Sequence, residues 1–132
     1  MRMWKRTAEA IARAVREAEL SADVYVVGGA AEGRLTVLSD VDVAVYAEKP
    51  MKWRELVELA LELEDALGRG VDVVDLKTAP LLLACEVVLR GIVVVDRNTE
   101  ERVDFEVRVL EECLDFKLRL EKYYNEVLAR ID

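Results

Sequence analysis

Residues Asp40–Ala47 read DVDVAVYA, and this stretch constrains the chain more than any other. On a β-strand, side chains alternate with period two. Val41, Val43 and Val45 therefore face one way, while Asp40, Asp42 and Ala44 face the other. Two carboxylates roughly 7 Å apart on one face of a half-buried strand repel each other, and the arrangement is costly without a cation. Magnesium suits such a pair, because it takes one or two protein carboxylates and fills its remaining positions with waters and phosphate oxygens.

The elements around this strand define an α/β chain. Trp4, Ala8, Ile11, Ala12, Val15 and Ala18 recur at helical spacing, so a helix is expected over about residues 3–20. Val24–Val27 reads as a strand running into Gly28 and Gly29, and a second strand covers Asp40–Ala47. Pro50 opens a helix with Trp53, Leu56, Val57, Ala60, Leu63 and Leu67 on one face and Gly68–Gly70 as its stop. Val71–Leu76 is a third strand. Thr78 is placed as the N-cap of a helix through Arg90, Gly91 ends it, and Ile92–Val95 is a fourth strand. A long helix fills the rest, from about Thr99 to Ile131.

The expected fold is a single domain over residues 1–132, a small mixed β-sheet packed with helices and carrying a long C-terminal helix. The eleven residues from Gly29 to Ser39 are short for a crossover helix, so the first two strands are expected to run antiparallel.

Composition narrows the chemistry. The chain has no histidine, which removes imidazole bases, Ser-His-Asp triads and His-ligated zinc and leaves acid-base work to carboxylates. A net charge of −8 argues against nucleic-acid coating. Cys85 and Cys113 are expected as two reduced, buried thiols. No run spans a membrane and Met1–Lys5 leads into a charged helix, so a cytoplasmic location is expected. Abundant Glu, Arg and Lys beside absent glutamine suggest a thermophile.

Gly28 and Gly29 at a strand end let backbone N–H groups approach a phosphate. GGAAEG over residues 28–33, followed by SDVD over 39–42, resembles the signature of the DNA polymerase β-like nucleotidyltransferase superfamily in its minimal form, the MNT domain. The resemblance runs on through VDVVDL, residues 71–76, to the long final helix. It implies a polymerase β palm-like fold that transfers AMP from ATP to a hydroxyl, with two Mg2+ ions held by three carboxylates.

Carried over by position, Asp40 and Asp42 hold the metals, Gly28 and Gly29 cradle the triphosphate, and Ser39 positions the turn or a phosphate. Asp72 and Asp75 compete for the third place; their parities differ, and the family's carboxylate at the start of that strand corresponds to Asp72. Glu32 stands where a basic residue is common in the family, and Arg34 is the candidate substitute at the phosphates.

In the long helix, Phe105, Val109, Cys113, Phe116, Leu120, Tyr123, Val127 and Ile131 form one apolar stripe, and Val107, Leu110, Leu114 and Leu118, extended by Leu128, form another. One stripe can bury against the domain and the other needs a partner. The resemblance implies a HEPN-domain toxin, modified on a tyrosine, with this chain as the antitoxin; the same helix also offers a homodimer contact. Two alternatives stay open: an antitoxin acting by contact alone, and a nucleotidyltransferase for a small molecule.

Overall fold

The computed structural model describes residues 2–28, 40–97 and 99–131. Its elements run α1 (Arg2–Glu17), β1 (Ala22–Val27), β2 (Val41–Ala47), α2 (Trp53–Leu67), β3 (Val71–Asp75), α3 (Leu81–Arg90), β4 (Ile92–Val95) and α4 (Thr99–Ile131). The four strands form one mixed sheet in the order β3-β2-β1-β4. As expected from the short connection, β1 pairs antiparallel with β2; β2 pairs parallel with β3, and β4 pairs antiparallel with β1.

Strand alternation divides the sheet between two cores. Val24, Val26, Val41, Val43, Val45 and Val71 point to one face and pack with Ile11, Val15, Leu59 and Leu63 of α1 and α2. Tyr25, Val27, Ala44 and Tyr46 point to the other and pack with Leu76, Val87 and Phe105 under α3 and α4. Both faces are covered, which is why β1 is buried along its whole length.

Element ends follow local chemistry. Gly68 adopts φ 68° and its N–H donates to Glu64 O at 2.8 Å, a left-handed cap that a side chain would strain. α2 begins three residues after Pro50, where the Lys52 N–H donates to Glu55 Oε1 at 3.0 Å. Its inward residues are Leu59 and Leu63, and Trp53, placed on that face from spacing, is 79% exposed. α3 begins at Leu81 behind Pro80; Thr78 is not its cap but part of the preceding turn, its N–H donating to Asp75 O at 3.2 Å.

Cys85 and Cys113 are not reduced, buried thiols. They form a disulfide with Cα atoms 6.0 Å apart, joining α3 to α4, and both are only partly buried. Helical spacing on two separate segments gave no sign that the two positions would meet.

α4 is anchored along its first half. Tyr25 OH donates to Glu106 Oε1 at 2.6 Å, and Arg102 donates to Glu106 Oε1 and Asp96 Oδ2, both at 2.9 Å. Burial and the Glu106 carboxylate push the Tyr25 phenol well above its ordinary range, so it stays a donor. Val109 is buried, but further along the stripe opens: Phe116 is 40% exposed, Tyr123 60% and Ile131 74%. Among the described residues no helix is long and apolar enough to cross a membrane.

Candidate active site

Asp42 sits near the start of the central strand β2, with Val27 of β1 as its antiparallel partner and Asp72 of β3 as its parallel partner. In parallel register, facing residues project to the same side of the sheet, so the two carboxylates meet. Burial first, then the charges of Asp72 and Asp40 and a hydrogen bond with Asp72, push the Asp42 carboxyl above the usual carboxylate range. Asp42 is half-buried, whereas Asp72 and Asp40 are exposed.

Two glycines make room for these side chains. Gly28, at φ 77°, closes β1, and a Cβ there would lie 3.0 Å from Asp42 Oδ2. Gly70 precedes β3, and a Cβ there would lie 2.6 Å from Asp40 Oδ1. Its carbonyl accepts from the Val41 N–H at 3.0 Å, tying the chain before β3 to the start of β2. Gly70 read only as part of a helix stop in the sequence. Its second role, accommodating Asp40, depends on a pairing that no local pattern announces.

Asp75 is occupied elsewhere. It is 3% exposed; Oδ2 accepts from the Met51 N–H and Oδ1 from the Lys77 N–H, each at 3.0 Å. Its carboxylate organises the turns after β2 and β3, and its register partner is Val45, three places along from Asp42. Gly29, Arg34 and Ser39, expected at the phosphates, lie outside the described residues.

Among the described residues, no three His, Cys, Asp or Glu side chains are gathered closely enough to hold an ion by themselves. The donor set nevertheless suits magnesium: Asp40 and Asp72 are the charges that act on Asp42, all three side chains are oxygen donors, and a divalent cation relieves their repulsion. Magnesium ordinarily completes its shell with water and phosphate oxygens, not with a closed protein cage. A cavity of about 610 Å³ on the same sheet face, lined by Tyr46, Leu76, Lys77, Phe105 and Arg108 among others, lies towards the far end of β2 and does not include the carboxylates.

Residues 9–100 match the family model described as polymerase beta, nucleotidyltransferase. Over 68 residues the chain is 37% identical to the protein adenylyltransferase MntA of Shewanella oneidensis, covering 52% of this chain and 49% of that protein. The chain thus spans about half the length of the curated relative it matches. The fold is similar to a crystal structure of a toxin-antitoxin with AMP-PNP, with TM-score 0.75, 25% identity, and 92% of this chain and 98% of that one covered. It is also similar to a structure of the tri-AMPylated Shewanella oneidensis HEPN toxin in complex with its MNT antitoxin, with TM-score 0.72, 23% identity, and 95% and 98% covered. The chain belongs to the polymerase beta nucleotidyltransferase family, and in it Asp42 and Asp72 stand paired on adjoining strands beside the bend at Gly28.

Proposed function

We propose that the protein transfers AMP from ATP to a hydroxyl, with a tyrosine of a HEPN-family toxin as acceptor, and so acts as the antitoxin of a toxin-antitoxin pair. The observation that carries this reading is the parallel pairing of Asp42 with Asp72, with Asp40 within electrostatic reach. The name of the MntA relative and the AMPylated toxin in a complex of the same fold support the choice of nucleotide and acceptor.

In this reading Asp40, Asp42 and Asp72 would hold two Mg2+ ions. Bound there, magnesium would neutralise the triphosphate and lower the pKa of the acceptor hydroxyl. Asp72, the most open of the strand carboxylates, receives the acceptor's proton. The acceptor oxygen forms a bond to the α-phosphorus, the bond to the β-phosphate breaks, and pyrophosphate leaves. Gly28 keeps the space beside Asp42 clear, and Gly29, Ser39 and Arg34 are assigned to the triphosphate. All of this suits a cytoplasmic protein, and the charge-rich, glutamine-free composition suits a thermophile.

Incubating the protein with labelled ATP, magnesium and a cognate HEPN toxin is expected to label the toxin on tyrosine. Absence of label, with wild type behaving as Asp42→Asn, overturns the proposal.

The exposed stripe Val103, Val107, Leu110 and Leu114 on α4 favours a second reading, neutralisation of the toxin by contact. In that case Asp40→Asn and Asp42→Asn variants still form the complex and still protect cells.

A further inference from the structure

The distal half of α4 is apolar around most of its circumference. Leu114, Phe116, Leu118, Leu120, Tyr123, Tyr124, Leu128 and Ile131 are each between 39% and 74% exposed. A helix of this kind is ordinarily covered on more than one side. Along the stripe continuous with the anchored half, Phe116, Leu120, Tyr123 and Val127 are spaced four, three and four residues apart. That is the a/d repeat of a two-helix seam.

We infer that this seam pairs with the same seam of a second copy of the chain, antiparallel, about a two-fold axis between residues 121 and 122. In that register Phe116 faces Val127 of the second copy, and Leu120 faces its Tyr123. The flanks are then complementary. On one side Arg119 lies across from Glu126 of the second copy; on the other, Lys117 lies across from the ring of its Tyr124. Two-fold symmetry makes each contact twice. Arg119 and Glu126 are exposed, and Arg119 otherwise pairs with Asp115 on its own helix, at 3.1 Å.

The fold selects this direction. Upstream, the same stripe is already used: Phe105 and Val109 pack towards the chain's own sheet and α3, and Cys113 is bonded to α3. A parallel pair would bring two whole domains to the same side of the same helical segment. In the antiparallel register, Ile131 of the second copy lies opposite Glu112, so the partner helix ends where the domain's own packing begins. The stripe containing Leu114 and Leu118 stays open for a different partner.

Sedimentation of the purified full chain is expected to give a dimer at micromolar concentration. Arg119→Glu should weaken it about tenfold, and Arg119→Glu combined with Glu126→Arg should restore it. Leu120→Glu should give a monomer with unchanged far-ultraviolet circular dichroism. Spin labels at position 124 should lie close together across the axis, and labels at position 131 about 28 Å apart.

A monomeric wild type overturns the inference. So does a dimer indifferent to both Leu120→Glu and Arg119→Glu, or labels at 124 and 131 that are equally close. None of these readouts depends on AMP transfer, so the pairing and the proposed activity fail independently.

Discussion

Asp42 and Asp72 are Cα partners across the parallel β2–β3 pair, and their carboxylates are within hydrogen-bond reach. Burial raises the Asp42 carboxyl above the usual carboxylate range, and the negative charge of Asp72 adds to this.

The first prediction concerns pH. A carboxyl whose folded pKa is raised binds its proton more tightly in the folded state, so its contribution to stability falls as pH rises from the ordinary carboxylate pKa through the raised one. Metal-free wild type should therefore lose stability relative to Asp42→Asn across that window, and magnesium should reduce the difference. Denaturant titrations of both proteins at several pH values, with and without magnesium, check this. Equal pH profiles for the two proteins would refute the raised pKa.

Asp72 and Asp75 should separate cleanly. Asp72→Asn is expected to abolish AMP transfer and leave stability within about 0.5 kcal/mol, since Asp72 is exposed. Asp75→Ala leaves the Met51 and Lys77 N–H groups without their acceptor and should cost roughly 1–3 kcal/mol. Transfer by the folded fraction of Asp75→Ala should persist. Thermal melts combined with an active-site-normalised transfer assay distinguish the two, and the opposite pattern would reassign the third carboxylate.

The glycines make a third test. Gly28→Ala forces a Cβ into left-handed backbone beside Asp42 and should cost roughly 1–2 kcal/mol as well as activity. Gly70→Ala has no positive φ to violate, but its Cβ collides with the Asp40 carboxylate. It should lower transfer more than it lowers the melting temperature. Full activity in Gly70→Ala would show that Asp40 can move without consequence.

The Cys85–Cys113 bond closes a separation of 28 residues, for which chain entropy gives roughly 3–4 kcal/mol. A Cys85→Ala and Cys113→Ala double variant should be destabilised by about that amount while keeping the β2–β3 carboxylate pair intact. Urea titration measures the first effect and AMP transfer the second. Unchanged stability would show that the rest of α4's anchoring suffices.

Most of the fold was legible because it is local. Alternating valines over Val41–Val45 set the two faces of β2, and every element was placed, within a few residues, from periodicity and glycine or proline punctuation. The departures arose where tertiary partners decide. Pro50 and Thr78 look like helix starts by residue type, but Asp75 holds both neighbourhoods in turns by accepting from Met51 and Lys77. Trp53 fits the apolar spacing of α2, yet the inward direction is set by Leu59 and Leu63 against the sheet.

The order of residues by itself determined that Val41, Val43 and Val45 share the face opposite Ala44 and Tyr46, because strand geometry fixes the direction of every second side chain. It also determined that α4 carries more apolar surface than one side can bury. Only the tertiary structure decided that Asp72 faces Asp42 while Asp75 becomes a buried acceptor, that Gly70 yields space to Asp40, and that Cys85 meets Cys113. Periodicity is carried by neighbours along the chain, whereas register and docking join residues many positions apart, and no local pattern encodes which distant partner will arrive.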